Sequence, residues 1–250
     1  MVLVPVLTFG LVIGSFLNVV IARLPQRRSL WAPRSSCPEC GHQIAWYDNI
    51  PLVSFAALRG RCRACAARIP WRYPLVEAAT AALFLAAWIV FAGDLAGFAV
   101  AVIFLAALVA ITVIDLRHQI IPDAITLPGI VVGLAASVAA GRISWVESLV
   151  GVLLGAGVFV VIIVVSRGGM GGGDLKLGAM LGAFLGWQAL LVALFVAVML
   201  GGISAVALLV SRRLARKDAI PFGPFLALGG VVALFWARQI IAWYLGGFER

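Results

Sequence analysis

The chain has 250 residues, of which 64% are hydrophobic and 12% charged, and its formal net charge is +9. Soluble domains are about half apolar and a quarter charged, so this composition excludes an ordinary soluble fold and predicts a membrane protein. The basic residues do not indicate nucleic-acid binding, because they are concentrated in residues 23–72 and in SRRLARKD at 211–218, each directly after an apolar stretch. Short basic loops beside membrane spans stay in the cytoplasm.

The apolar stretches predict an all-α polytopic membrane protein with about eight transmembrane helices, since about 30 Å of hydrocarbon needs roughly twenty apolar residues. The predicted spans are residues 2–22, 75–91, 96–114, 124–140, 148–165, 175–186, 189–210 and 220–245. Eight spans place both basic clusters in the cytoplasm and both termini outside. An odd number would place one basic cluster outside, and this alternative fits the charge rule less well.

The loop after the first span contains all four cysteines, as CPEC and CRAC. Paired CxxC segments are typical of a four-thiolate zinc site, which is closed to water and therefore structural. The expected ligands are Cys37, Cys40, Cys62 and Cys65, with Gly41 in the first turn and His42 outside the ligand set. Two disulfides are the alternative, and a reducing cytoplasm disfavours them. The aromatic residues of the loop are expected at the membrane surface: Trp46, Tyr47, Trp71 and Tyr73.

Two aspartates stand at the cytoplasmic ends of predicted spans. Asp115 follows the apolar run VAITVI, and Asp174 begins the sixth span. Taken singly, Asp174 reads as a helix N-cap and Asp115 as an ion-pair partner of Arg117. Taken together they can form a dyad, in which one carboxyl group keeps a proton while the other acts as a base.

The remaining acidic residues near spans have more ordinary interpretations. Asp94 and Glu147 are expected to be solvated caps, and Asp123 a helix N-cap. Glu77 begins a span and is a candidate for the interior of the helix bundle. Asn18 is a candidate for hydrogen bonding across helices.

A glycine-rich segment, RGGMGGGD, precedes the second aspartate of the dyad. Glycine permits unusual torsions and close backbone approach, so we expect this segment to let an extended peptide reach Asp174. A phosphate-binding loop is the weaker alternative, because the Walker spacing is missing. Other glycines recur every four residues and predict close helix packing: Gly10 and Gly14, and Gly178, Gly182 and Gly186.

Six features occur along the chain: GSFLNVVIARLP, the paired CxxC loop, WYDNIPLVSF, IPWRYPLVEAAT, IDLRHQIIPD and GMGGGDLKLGA. In this order they resemble the type IV prepilin peptidases, which are GxGD-type membrane aspartyl proteases. The resemblance covers nearly the whole chain. It implies that Asp115 and Asp174 are catalytic, with Asp123 less critical. Gly171, Gly173 and Lys176 belong to the motif around the second aspartate and are expected to support the active site.

The resemblance also implies the reaction. The enzyme would remove a short basic leader after a glycine, at the cytoplasmic face of the bacterial inner membrane, from type IV prepilins or type II secretion pseudopilins. It would then methylate the new N-terminal residue with S-adenosylmethionine. The implied domains are a first helix (residues 1–24), a cytoplasmic zinc loop (25–74) and a peptidase core of about seven helices (75–250).

Two other functions are weighed against this interpretation. An ion- or proton-coupled transporter could use buried carboxylates such as Asp115 and Asp174, but it needs no cysteine-rich loop. A zinc-loop scaffold that gathers secretion components would tolerate Asp-to-Asn changes at both positions.

Overall fold

The computed structural model describes residues 2–167, 169–211 and 221–246, and within these ranges the regular structure is helical. Two isolated bridges, 36 with 43 and 61 with 68, are the extended pairings within the cysteine segment. The α-helices are α1 (Leu3–Arg23), α2 (Val53–Ala57), α3 (Arg72–Val90), α4 (Leu95–His118), α5 (Asp123–Ala139), α6 (Trp145–Val165), α7 (Gly172–Val210) and α8 (Gly223–Gly246).

Six of these helices are long and apolar enough to cross a membrane, namely α1, α3, α4, α6, α7 and α8, and α5 is a shorter apolar helix. The chain is therefore a multi-pass membrane protein, as its composition predicts. The second predicted basic cluster, SRRLARKD, lies outside the described residues from position 212 onwards.

The 39-residue helix α7 contains the break that the sequence predicts between its sixth and seventh spans. Gly186 has φ 72° and ψ 171°, a conformation that is essentially restricted to glycine. Positions 229 and 230 of α8 lie against Ala193 and Leu181 respectively. In a straight helix those two α7 residues would be about 18 Å apart, so the chain reverses at Gly186 and α7 forms a helical hairpin.

The end of the third predicted span differs from the prediction, which placed Asp115 after the helix. Helix α4 continues to His118, and Gln119 ends it with φ 51° while its N–H caps the Asp115 carbonyl. No residue in the intervening Leu116–His118 segment breaks a helix. Asp115 therefore lies in the last turn of α4, where the helix fixes its direction.

The chain divides into two compact units, Met1–Gly93 and Asp94–Arg250. In the first, α1 and α3 run antiparallel at close range: a Cβ at Gly10 would lie 2.6 Å from Ala81 Cα, and one at Gly14 would lie 2.7 Å from Glu77 Cα. Asn18 continues this face and donates a hydrogen bond to the Tyr73 carbonyl at 3.1 Å. The expected packing role of these glycines and the cross-helix bond are confirmed.

The second unit contains α4 to α8 around a core that includes Phe104, Leu108, Leu181 and Leu226. Helices α6 and α7 approach through facing glycines, Gly155 with Gly178 and Gly151 with Gly182. This packing aligns α5, α6 and the first half of α7 beside one another. The predicted division of the chain into a first helix (residues 1–24), a zinc loop (25–74) and a peptidase core (75–250) stays a prediction.

The predicted caps are confirmed in two of three cases. Asp94 accepts the Gly97 N–H at 2.7 Å, and Glu147 forms a capping box with Ser144. The prediction for Asp123 is wrong: Pro122 is the N-cap of α5 and Asp123 is its first helical residue, without a capping bond from its side chain.

Candidate active site and metal centre

Asp115 is buried, with 5% of its surface exposed. Its Oδ2 accepts a hydrogen bond of 3.0 Å from the backbone N–H of Gly223, the first residue of α8. A Cβ at position 223 would lie 2.5 Å from this oxygen, so only glycine allows the backbone to come so close. Within the described residues no ion pair joins Asp115 to Arg117, and its partner is the α8 backbone instead.

Asp174 is the third residue of α7 and is not a cap, because Gly171 occupies the N-cap position and receives a turn bond from the Asp174 N–H. Its Oδ1 is buried and has no hydrogen-bond partner among the residues that the structure describes. Buried polar atoms are nearly always satisfied in native proteins. This oxygen is therefore a natural position for a water molecule or a polar group of a ligand.

The two aspartates are brought together although 59 positions separate them in the sequence. Asp115 lies close enough for its charge to influence the carboxyl group of Asp174. Ile121, between α4 and α5, lies close to a neighbour of each aspartate. A Cβ at Gly173 would lie 2.9 Å from Ile121 Cβ, and one at Gly223 would lie 3.3 Å from Ile121 Cδ1. The same isoleucine thus packs beside the neighbour of Asp174 and beside the hydrogen-bond donor of Asp115.

Lys176, two residues after Asp174, points to a different carboxylate. Its Nζ donates to both oxygens of Asp123, at 2.6 and 2.7 Å, and both side chains are partly exposed. The ion pair joins the first residue of α5 to the fifth residue of α7. The motif lysine is thus held away from the Asp115 and Asp174 pair.

The glycine-rich segment is only partly a loop. Gly171 is extended (φ −76°, ψ 147°), whereas Gly172 and Gly173 already belong to α7. A Cβ at Gly171 would be 3.8 Å from Asp174 Oδ2, an ordinary contact, and one at Gly172 would meet nothing within 4 Å. Of these three glycines, only Gly173 lies so close to another residue, Ile121, that a side chain would not fit without a shift. Gly168, also part of the predicted flexible segment, lies outside the described residues.

The four cysteines of the first unit form one cluster, in which the four Sγ atoms all lie within 4.8 Å of one another. All four are free thiols. Sγ of Cys37 and Sγ of Cys65 are 3.8 Å apart, far beyond the roughly 2 Å of a disulfide. Tetrahedral zinc with bonds of about 2.3 Å places its sulfur ligands about 3.8 Å apart. The thiol arrangement fits a zinc ion, and His42 supplies only a backbone carbonyl to this region, to the Cys37 N–H.

The two CxxC segments fold as matching turns. The Cys37 carbonyl accepts the Gly41 N–H, and the Cys62 carbonyl accepts the Ala66 N–H, each at 2.9 Å. Gly41 and Ala66 occupy equivalent places with φ 70° and 57°. Backbone N–H groups of Cys65 and Ala64 lower the pKa of the Cys62 thiol to about 7, whereas the neighbouring thiols and burial raise the pKa of Cys65 to about 12, so the cluster without a metal favours a thiolate at Cys62 first.

Two contacts tie the WYDNIPLVSF segment to its surroundings in the first unit. Arg63, inside the second CxxC, donates to both oxygens of Asp48 at 2.7 and 2.8 Å and holds the pKa of that carboxyl group below its usual range. Glu77 accepts the Leu52 N–H at 2.9 Å and is buried. Glu77 therefore faces the interior, as expected, and it fixes the segment to α3.

Sequence reasoning did not identify Gly223, Ile121 or the pairing of Lys176 with Asp123. PFGPF, which contains Gly223, carries no polar side chain, and a backbone donor has no side-chain signature. The only sequence signal was the glycine between two prolines, which marks a special backbone position.

Comparisons with known proteins agree with this arrangement. The model described as the Bacterial Peptidase A24 N-terminal domain matches residues 8–91, and that of the Type IV leader peptidase family matches residues 102–206. These matches fall in the first and second compact units, respectively. No solved structure matches the chain.

Three relatives named prepilin leader peptidase/N-methyltransferase align along nearly their whole length. The protein of Aeromonas hydrophila is 40% identical, over 97% of this chain and 93% of its own. That of Pseudomonas aeruginosa is 39% identical (96% and 92%), and that of Bacillus subtilis 37% identical (95% of each). The chain therefore belongs to the type IV leader peptidase family and is a peptidase.

Proposed function

We propose that the protein is a prepilin leader peptidase in which Asp115 and Asp174 form the catalytic pair. The substrates are type IV prepilins or type II secretion pseudopilins, cut after a glycine that follows a short basic leader. The charge distribution of the loops supports a cytoplasmic position for the cysteine loop and the aspartates, and therefore cleavage at the cytoplasmic face of the bacterial inner membrane.

One observation carries this proposal. Two acidic residues from distant segments meet within a helical membrane unit, and one oxygen of the pair, Asp174 Oδ1, is buried without a partner among the described residues. Buried ionisable groups in membrane segments are costly and mark function by default. A pair with an unfilled acceptor is the arrangement that a bound water needs.

The chemistry follows from the pair. Two carboxylates at close range do not both ionise, so one proton is shared. The ionised partner removes a proton from water as the water attacks the peptide carbonyl carbon, and the protonated partner donates its proton to the carbonyl oxygen. The tetrahedral intermediate then collapses: its C–N bond breaks, the proton taken from water is passed to the leaving nitrogen, and the other carboxylate takes back its proton as the carbonyl reforms. The N–H of Gly223 holds Asp115 in place through Oδ2, and the free Oδ1 of Asp174 receives the water. The apparent pKa values belong to the pair rather than to either residue.

The proposal includes two further assignments. Cys37, Cys40, Cys62 and Cys65 hold a structural zinc ion, because the thiol spacing fits a tetrahedral ion and a four-sulfur site leaves no position for substrate. The names of the relatives also support N-methylation of the new N-terminal residue, with S-adenosylmethionine as the methyl donor. Gly171, Gly173 and Lys176 support the peptidase site without contacting the reacting atoms: Gly171 as the N-cap of α7, Gly173 through the close approach of Ile121, and Lys176 through its ion pair with Asp123.

The transporter alternative is not favoured, because the relatives that align over nearly the whole chain carry the peptidase name. The scaffold alternative predicts a different outcome for the Asp-to-Asn variants, since a scaffold would keep its function without the carboxylates of Asp115 and Asp174.

The test uses purified full-length protein in liposomes with a prepilin that keeps its basic leader, and reads the product by intact mass with and without S-adenosylmethionine. Asp115→Asn and Asp174→Asn keep the shape of each side chain and remove the ionisable group. We expect leader cleavage to fall by about 10²-fold or more, the usual contribution of a general acid or base. Zinc content is measured on the same preparations.

Asp94→Asn is the matched control, because Asp94 caps the opposite end of α4. It should cleave like the wild type. Equal cleavage by wild type and both dyad variants, with all proteins folded, would reject the catalytic pair. Product without an added methyl group, in the presence of the donor, would restrict the activity to peptide hydrolysis.

A further inference from the structure

The residues after α1 fold back along the helix. The ring of Trp31 packs on the ring of Phe16, with 6.4 Å between centroids. Phe16 lies seven residues, or about 10 Å, before the end of α1 at 1.5 Å per residue, and it is 40% exposed on a membrane-crossing helix. Trp31 therefore lies alongside an exposed part of α1, about two turns before the end of the helix, and not beyond its end.

The backbone of residues 29–33 is irregular, and five of its polar groups have hydrogen-bond partners among the side chains of Arg23 and Ser29. The Arg23 guanidinium donates to the carbonyls of Ser29, Leu30 and Pro33, at 3.0, 3.4 and 2.7 Å. The Ser29 hydroxyl accepts the N–H groups of Trp31 and Ala32, both at 3.3 Å. Pro33 has no N–H group. Irregular backbone at membrane depth requires internal partners of this kind, whereas a loop in water has no such need.

The side chains of this segment suit the boundary between hydrocarbon and headgroups. Trp31 is 86% exposed, and tryptophan is favoured at this depth. Arg27, Arg28 and Arg34 flank the segment and are all exposed. Cationic side chains beside a membrane surface attract anionic lipid headgroups, with about 1 kcal/mol for each residue, or a fivefold enrichment.

From these contacts we infer that residues 29–33 form a shallow membrane-inserted loop, with Trp31 among the acyl chains and Arg27, Arg28 and Arg34 binding anionic phospholipid headgroups. Arg23 acts as a clamp on this loop: its guanidinium donates hydrogen bonds to three backbone carbonyls, and this lowers the cost of placing them in the membrane. The loop acts as a lipid anchor at the start of the cysteine segment, and this role does not depend on the proposed peptidase chemistry.

The test uses full-length protein labelled with 5-fluorotryptophan in nanodiscs, where the fluorine resonance of Trp31 is assigned through Trp31→Phe. Lipids with a nitroxide near the carbonyl end of the acyl chain broaden resonances at that depth, and a water-soluble gadolinium chelate broadens those in water. We expect Trp31 to be broadened by the lipid nitroxide and protected from gadolinium. Headgroup spin-labelled phosphatidylglycerol should broaden it more than the phosphatidylcholine equivalent, on the order of fivefold.

Two variants test the clamp. Arg23→Lys keeps the charge but replaces the two guanidinium nitrogens that reach the three carbonyls by a single ammonium nitrogen, so Trp31 should lose its broadening by lipid and become accessible to gadolinium. Arg59→Lys is the matched control, since Arg59 is an exposed arginine of the same cysteine segment that lies outside residues 23–34, and the wild-type pattern should remain. Broadening of wild-type Trp31 by gadolinium without broadening by lipid would overturn the inference, as would protection from both reagents, which would indicate a protein contact. Equal broadening by the two headgroups would overturn the anionic preference.

Discussion

At the scale of single residues, the site depends on positions where a side chain is absent. Gly223 brings a backbone N–H to Asp115, and Gly173 lets Ile121 pack against the start of α7. The adjacent Gly172 has open space around it. Two neighbouring glycines of the same motif therefore have different roles, which the sequence alone did not distinguish.

This difference gives a prediction. Gly173→Ala would place a methyl group 2.9 Å from Ile121 Cβ and would shift the isoleucine that packs beside the Asp115 donor. Displacement of catalytic groups by about 1 Å reduces rates on the order of 10²-fold, and we expect a loss of that size in leader cleavage. Gly172→Ala should cleave at nearly the wild-type rate. Similar rates for the two variants would contradict the role assigned to the Ile121 contact.

In one of the two CxxC turns, by contrast, a residue other than glycine occupies a position that glycine would favour. Gly41 was predicted in its turn, and it has the expected positive φ, but Ala66 adopts the same conformation without being glycine. A left-handed conformation is unfavourable for alanine. The geometry of the second turn is therefore imposed by its cysteines and hydrogen bonds rather than by local preference.

At the scale of elements, helix packing in the second unit rests on glycine faces. A Cβ at Gly155 would meet the backbone carbonyl of Gly178, which cannot move without displacing α7. The first turn of that helix carries Asp174. The α6–α7 interface consequently sets the position of one member of the proposed catalytic pair.

Gly155→Ala should therefore lower the stability of the folded protein by about 1–3 kcal/mol, the usual range for overpacking. Gly157→Ala is its matched control on the same helix, because a Cβ there meets nothing within 4 Å. Thermal unfolding in detergent, followed by circular dichroism, measures both. An unfolding midpoint for Gly155→Ala equal to that of Gly157→Ala would show that the two helices separate at no cost.

At the scale of the whole molecule, the reversal at Gly186 decides the number of crossings. Leaving out the short α2, a straight α7 would give seven apolar helices in the described chain, whereas the hairpin gives eight apolar helical segments. If all eight cross the membrane, the even number would place both termini on the same side, as the charge rule predicts.

We therefore expect a C-terminal alkaline phosphatase fusion to be active in the periplasm and a C-terminal green fluorescent protein fusion to be dark. Phosphatase fused after residue 28, in the first basic loop, should be inactive. A fluorescent C-terminal fusion would require an odd number of crossings and would contradict the hairpin as a membrane-crossing unit.

The sequence by itself determined the class of protein, the approximate spans, the cysteine set and the two aspartates. These features follow from local composition and spacing: hydrocarbon selects long apolar runs, and tight turns bring paired cysteines together. Only the tertiary structure decided three contacts: the Gly223 N–H donates to Asp115, Ile121 lies next to both Gly173 and Gly223, and Lys176 pairs with Asp123. Each of these contacts joins residues about 50 or more positions apart, or uses a backbone atom. Their distances are set by how the helices pack, which no local pattern encodes.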